Sequence, residues 1–393
     1  VSDLVVVGAG TMGAWTALHA ARGGRRTTLV DAFGPGHSRA TSGDETRIIR
    51  SSHGPDAFYT RWSRRAREAW MQLAAEAGEP LFLETGVLWF AHREDGFEAA
   101  SLATLASEGI AVERLTPGEV ESRWPQTSAA GLAFAAFEPE AGVLMARRGV
   151  AAAARAFGRA GGRFELARVR PGERTGDRLL EVVADDGTRI RGDAFVFAAG
   201  PWLPSLFPEV VNGLIRVTKQ DVLYVGPPPG DGRFAAEWQP AWVDYDASFY
   251  GIPAVDGRGF KAAPDRYGAV FEPTNGERIV DPETVRLTRR FLRRRFPDLA
   301  DQPVVETRVC QYETTPDTHF LIDRHPELEN VWLVGGGSGH GFKHGPEIGR
   351  HVVSRLDGHE PVGDERRFGL ERPRSVATGL RTGGDSIVEH WTD

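Results

Sequence analysis

The sequence predicts an α/β protein: a doubly wound parallel sheet interrupted by insertions that build a second, antiparallel sheet. Three observations predict it. The apolar run Leu4-Val5-Val6-Val7 passes directly into Gly8-Ala9-Gly10-Thr11-Met12-Gly13 and an Ala-rich stretch over 14–22. Two later apolar runs, at 194–198 and 331–334, break into the small residues Ala199-Gly200 and Gly335-Gly336-Gly337. Between them, residues 81–91, 131–144, 241–252 and 259–271 are rich in β-branched and aromatic side chains, which suit a half-buried pleated surface.

The first forty residues read as strand, turn, helix, strand. A run apolar on both faces is what a buried parallel strand needs, and Thr27-Thr28-Leu29-Val30 ends in Asp31. This is G-x-G-x-x-G between a strand and a helix, with a carboxylate about 20 residues on: the Rossmann-type arrangement for a dinucleotide. The glycines admit a pyrophosphate to the backbone, the helix N-terminus stabilises its charge, and the carboxylate accepts from ribose hydroxyls. The motif does not separate FAD from NAD. The runs at 194–200 and 331–337 read as further parallel strands whose C-terminal ends face the cofactor. Asp186-Gly187 between alternating residues predicts a hairpin over 179–190, and 146–159 a helix. Residues 287–296 predict a basic helix with a solvated face, and Gly226-Pro227-Pro228-Pro229-Gly230 an exposed loop. The expected organisation is a discontinuous nucleotide domain (1–80, 145–220, 310–367) and a substrate domain (81–144, 221–309). A tail, 368–393, is either an extended strap or disordered.

A net charge of −7 and a pI near 5.9 give no reason to expect nucleic acid or an anionic membrane as partner. No apolar stretch approaches the ~20 residues of a membrane span. Structure is expected to begin at Asp3, leaving no room for a signal peptide, and a single cysteine fits the cytoplasm. That cysteine excludes an internal disulfide and four-cysteine metal sites; no metal is expected. Of 47 basic residues only Lys219, Lys261 and Lys343 are lysines. Against such a bias towards arginine, a retained lysine suggests a need for a compact ammonium.

Four groups carry candidate chemistry. Arg47 and Arg50, three apart, are expected on one face of a helical turn, partly buried beside Ile48 and Ile49. The run from Gly337 to Pro346 is either a glycine-rich surface turn or an anion cradle, with Lys343 placed against a helix dipole. Phe249-Tyr250-Gly251-Ile252-Pro253 leading to Lys261 is a hairpin with aromatic packing or part of a site. Cys310, with Tyr312 beside it and Asp317 and Asp323 following, is an inert buried thiol or a nucleophile.

Together these residues resemble the monomeric sarcosine oxidase and N-methyltryptophan oxidase family of FAD-dependent amine oxidases. The likeness runs in order from Val5 to about Arg374. It rests on Gly8 to Gly13 with Asp31, Thr46-Arg47-Ile48-Ile49-Arg50, Tyr250-Gly251-x-Pro253 to Lys261, Cys310-x-Tyr312 with Pro316-Asp317, and Ser338-Gly339-His340-Gly341-Phe342-Lys343. It implies an FAD-binding domain with a discontinuous antiparallel-sheet substrate domain, and FAD attached covalently through Cys310. Lys261 would promote reaction with oxygen, and Arg47 would lie near the flavin. Arg50 and Lys343 would hold the substrate carboxylate, while Tyr250 and Tyr312 would line the pocket. The cofactor would contact Gly8, Gly10, Thr11, Met12, Gly13 and Asp31, then Ser42, Arg47, Ala199, Gly200 and Cys310. The last loop would add Gly337, Ser338, Gly339, His340, Gly341 and Lys343. The partners implied are a small-molecule amine and O2, and a monomer is expected.

Two family histidines are replaced, by Gly43 after Ser42 and by Asp265, and Asp244 and Asp246 add negative charge near the expected pocket. The substrate is therefore expected to be a larger or more basic secondary amine than sarcosine, with Asp265 among its contacts. Rival readings are a flavin amine dehydrogenase, a fructosyl-amine or cyclic-imino-acid oxidase, an NAD-dependent dehydrogenase, or a flavin-binding protein without catalysis.

Overall fold

The computed structural model describes residues 2–372 together with Val388 and Trp391. Most of the 368–393 tail therefore lies outside the described residues. The strand Ser2–Val7 pairs in parallel with Thr27–Asp31 on one side and Arg189–Phe197 on the other. Arg163–Leu166 and Val331–Gly335 extend this sheet in parallel, and Leu321–Arg324 adds an antiparallel edge. Leu4, Val5 and Val6 are fully buried because both faces are covered. Leu4 and Val6 share a core with Trp15, Val150 and Ile348 of helices Thr11–Arg22, Ala146–Arg159 and Gly345–Leu356. Val5 and Val7 face the opposite way, onto Val182, Leu203 and Phe207. The hairpin expected at 179–190 is present, Glu181–Ala184 pairing with the start of Arg189–Phe197.

The second large sheet is eight-stranded. In order it contains Val304–Thr314, Arg216–Val225, Phe260–Pro264, Phe249–Ile252, Ala241–Asp244, Val87–Ala91, Phe134–Glu138 and Glu113–Leu115. It is antiparallel except where Ala241–Asp244 runs parallel to Val87–Ala91. The expectation of one antiparallel sheet from all the insertions needs two corrections. That parallel pair is one. The other is that Phe82–Leu83 and Gly142–Met145 leave the main sheet and join Thr46–Ile49 in a separate sheet of three strands. Gly142 makes this close approach possible, since a Cβ there would lie 2.1 Å from the Leu83 carbonyl oxygen.

The same sheet corrects the helical turn expected for Arg47 and Arg50. Thr46, Ile48 and Ile49 are β-branched, and in register with Gly142–Met145 they form a strand instead. The basic helix is Pro282–Arg295, and its solvated face is only half its surface. Thr288, Phe291, Leu292 and Arg295 point inward, with Arg295 fully buried against Asp244 at 3.5 Å.

The longest helix, Ala57–Ala77, starts at Asp56, whose carboxylate accepts from the Tyr59 N–H, and ends at left-handed Gly78 (φ 66°). Its inward residues Tyr59, Trp62, Ala66 and Trp70 recur at helical spacing and are buried. Trp70 stacks on Phe342 at 5.5 Å and donates from its indole to the Lys343 carbonyl oxygen at 2.9 Å, so this helix positions the last glycine loop. No helix among the described residues is long and apolar enough to cross a membrane.

Candidate active site

The strands Ser2–Val7, Arg189–Phe197 and Val331–Gly335 end on the same side, and a cavity of about 390 Å³ opens there. Gly8, Gly10, Thr11, Met12 and Asp31 line it, as do Ser42, Arg47, Ala199, Gly200, Gly337, Ser338, Gly339 and Gly341. Gly13 is not at the wall: a Cβ there would stand 1.8 Å from the Gly8 carbonyl oxygen, so it serves strand–helix packing. Gly10 does face the cavity, its nearest obstacle being the Ser42 hydroxyl at 3.4 Å. The helix Thr11–Arg22 begins there with no acidic residue in its first turn, as an anion site requires.

Asp31 is already engaged. One carboxylate oxygen accepts from the Ala9 N–H at 2.7 Å and the other from Phe33 and Gly34 at 2.8 Å. It therefore shapes the loop as well as facing the cavity. Ser338 turns its hydroxyl inward to the Gly336 carbonyl at 3.0 Å, in a left-handed backbone (φ 46°). What it offers the cavity is main chain.

Glu313, which sequence reasoning passed over, lines the same cavity and is 4 % exposed. Burial pushes its carboxyl up to about 8, against the pull of the Gly337 N–H. Its Oε2 has no hydrogen-bond partner among the described residues. A protonated acid, a free helix start and a ribose-side carboxylate around one cavity fit a dinucleotide such as FAD.

A second cavity, about 80 Å³, adjoins the first. Arg47, Tyr312, Gly339 and Phe342 line both. Arg50, Tyr250, Asp265, Cys310, His340 and Lys343 complete its wall with Ile48, Trp89, Gln220 and Val243. His340 and Lys343, expected at the cofactor, thus belong to the smaller space. Lys343 is 3 % exposed and donates to the His340 carbonyl at 2.9 Å. Arg50 lies over the Trp89 ring, 5.2 Å from its centroid, and the Tyr312 hydroxyl donates to Asp265 at 3.4 Å. Trp89, Gln220 and Val243 gave no signal in the sequence beyond strand propensity.

Lys261 lines neither cavity. It is 1 % exposed, directly behind the Arg47–Cys310 wall, with its ammonium 2.5 Å from Asp44 and 3.1 Å from the Thr46 carbonyl. Asp44 also accepts from Arg47 at 2.8 Å and from the Tyr224 hydroxyl at 2.8 Å. Burial pushes the Asp44 carboxyl up, but Lys261 and Arg47 outweigh it and hold the group well below the carboxylate range. Burial lowers Lys261, and Asp44 opposes that. Asp44 is thus the hub of the cluster. Its place in the acidic start of the Asp44-Glu45-Thr46-Arg47 run was the available clue. Arg47 reaches on to Cys310, donating to its sulfur at 3.3 Å. Cys310 is half-buried rather than part of the fully buried core.

Two expectations about charge are corrected. Asp244 is fully buried, held by His92 at 3.0 Å and by Arg295, and Asp246 faces Arg93 at 3.8 Å; neither lines the pocket. A histidine does not fit at Gly43, where a Cβ would lie 1.9 Å from the His37 carbonyl oxygen.

The family model of FAD dependent oxidoreductases (DAO) matches residues 3–355. The chain is 30% identical over 376 residues to a monomeric sarcosine oxidase of Bacillus sp. (strain B-0618), covering 90% of this chain and 91% of that protein. It is 28% identical over 382 residues to an N-methyl-L-tryptophan oxidase of Yersinia pestis, covering 95% and 99%. The solved L-proline dehydrogenase from P. horikoshii superposes with a TM-score of 0.82 at 21% identity, over 94% of this chain and 96% of that one. At that identity the likeness speaks for the fold.

Proposed function

The chain belongs to the FAD-dependent oxidoreductase family and is an FAD-dependent amine-oxidising enzyme; from that premise we propose that it oxidises a secondary amine bearing a carboxylate, with O2 as electron acceptor. The observation that carries this reading is the pairing of Arg50 and Lys343 in a cavity that shares Arg47 and Tyr312 with the larger one. The Gly8–Gly13 loop, Asp31 and Glu313 would hold FAD in the larger cavity, where it would supply the two-electron acceptor.

Arg50 and Lys343 bind the substrate carboxylate by charge-assisted hydrogen bonds and so fix the carbon to be oxidised, a proximity effect. Asp265, paired with Tyr312, faces the amine. Its carboxylate attracts the ammonium and takes a proton from it, since only the neutral amine has a lone pair to drive loss of the adjacent C–H. Tyr250 and Trp89 exclude water. The amine loses two electrons and two protons to give an imine, O2 takes them up as H2O2, and water then cleaves the imine to aldehyde and amine. Lys261, paired with Asp44 outside the cavity wall, acts on negative charge developing on oxygen through the field of the Lys261–Asp44–Arg47 cluster rather than by contact. Of bulk and basicity, the tight cavity of about 80 Å³ favours basicity as the substrate's departure from sarcosine, with Asp265 reading it. The acidic balance and lone cysteine support a cytoplasmic, monomeric enzyme.

Mixing the yellow protein anaerobically with a panel of amines tests the reading. N-alkyl amino acids should bleach the visible absorbance, and peroxide should then form stoichiometrically in air. Bleaching by no amine would refute it, bleaching without peroxide would favour a dehydrogenase, and sarcosine as the best substrate would remove the role given to Asp265.

We also assign Cys310 to a covalent bond with the flavin. Support comes from its half-buried sulfur beside the Arg47 guanidinium, since a nearby cation favours the thiolate such a bond needs. After acid precipitation the yellow colour should stay in the pellet, whereas Cys310→Ala should release it to the supernatant. Colour lost from the wild-type pellet would show a non-covalent cofactor.

A further inference from the structure

We propose that His53, His340 and His344 form a binding site for a single transition-metal ion of the Zn2+ class, outside the amine-oxidation chemistry. Donor nitrogens of the three rings lie within 4.8 Å of one another, and the ring centroids are 5.4, 6.0 and 6.4 Å apart. Tetrahedral zinc with Zn–N bonds of about 2.0–2.1 Å sets its nitrogens roughly 3.3 Å apart. Closing the cluster around an ion therefore requires movements of at most ~1.5 Å.

The hydrogen bonds fix which nitrogens are offered. His53 Nδ1 lies 3.0 Å from the Ser51 carbonyl oxygen. That oxygen only accepts, so Nδ1 carries the proton and Nε2 presents a lone pair. His340 Nε2 lies 2.9 Å from the Thr318 carbonyl, so the lone pair of that ring is on Nδ1. This is the arrangement that orients metal-bound histidines elsewhere: one ring nitrogen donates to a carbonyl while the other faces the ion. His344 is fully buried, and neither of its nitrogens, nor His53 Nε2, has a hydrogen-bond partner among the described residues. Tyr59 packs against all three rings at 5.1 to 5.7 Å but pairs its hydroxyl with His319 at 3.1 Å. Three neutral nitrogen donors suit Zn2+, Cu or Ni rather than the oxygen-seeking Ca2+ or Mg2+.

The ion would clip the segment after Thr46–Ile49, which carries Arg50 and His53, to the loop that carries His340, Lys343 and His344. Arg50 and Lys343 disfavour an added cation nearby, and an anion held between them removes that penalty. The test therefore keeps acetate present. The flavin-loaded protein, stripped with a chelator and dialysed, is titrated with Zn2+ and its metal content measured, alongside His53→Gln and His344→Phe. About one equivalent per chain is expected in the wild type, with at least a tenfold weaker uptake in each variant whose flavin spectrum is intact. No uptake by the wild type, or equal uptake by both variants, overturns the proposal. Should neither variant fold, Co2+ added to the wild type decides: intense tetrahedral visible bands support the site, and weak octahedral bands refute it.

Discussion

Asp44→Asn should cost about 3–5 kcal/mol of stability, because it leaves the Lys261 ammonium buried without its counter-charge. The pair is 4 % and 1 % exposed, so water screens little of the interaction. The same change should lower peroxide-forming turnover by roughly 10²–10³, the scale of losing a preorganised charge at a developing anion. With Asp44 neutral, burial and the neighbouring Arg47 charge drive Lys261 towards the uncharged amine, and Arg47 loses the partner that aims it at Cys310. Denaturant midpoints give the first quantity and stopped-flow reoxidation the second. Lys261→Met separates the two effects: it should keep anaerobic reduction by the amine while slowing reaction with O2. A midpoint within about 1 kcal/mol of wild type for Asp44→Asn would mean that the cluster is solvated and the hub mis-assigned.

Lys343→Met should fall most heavily on substrates that carry a carboxylate. Losing one charge-assisted contact of about 2–3 kcal/mol lowers kcat/KM some 30- to 150-fold for them. An amine of the same size without the carboxylate should lose less than about threefold, having no such contact to lose. The ratio between the two substrates is the readout, since a general disturbance of the loop moves both. Trp70, outside both cavities, holds that loop through its bond to the Lys343 carbonyl and its stacking on Phe342, so the main chain is expected to stay in place. Equal losses for both substrates would show that Lys343 supports the loop rather than the anion.

The parts of this molecule that could be read from sequence are those written locally. The Gly8–Gly13 loop, the hairpin around Gly187 and the helix Ala146–Arg159 each depend on residues a few positions apart. The two cavities were legible through ordered motifs, and Arg50, Tyr250, Cys310, Tyr312 and Lys343 do converge on one of them. What escaped was set by pairing between distant segments. Asp44 meets Lys261 across 217 positions, and no local pattern announces that. Arg47 and Arg50 looked helical by spacing, yet pairing with Gly142–Met145 drew Arg47 into the strand Thr46–Ile49 and left Arg50 just past its end. Arg295 looked solvated among its basic neighbours until Asp244 and the sheet covered it. The three histidines meet only when the loop after Val331–Gly335 folds onto the segment before Ala57–Ala77.

The strand Val304–Thr314 is paired along its length with Arg216–Val225, Gln220 standing opposite Cys310 and Thr218 opposite Tyr312. It brings Cys310 to the smaller cavity, Tyr312 to both and Glu313 to the larger one. A strand advances about 3.3 Å per residue and alternates its faces, so these three side chains keep a fixed spacing that no loop movement can alter. For protein engineering this makes the strand a chassis rather than a tuning point. An insertion or deletion there would slip the register and misplace Cys310, Tyr312 and the buried acid Glu313 together. Libraries aimed at new amines are better placed at Trp89, Val243 and Asp265, which line the same pocket from other segments and can change without disturbing the register of this strand.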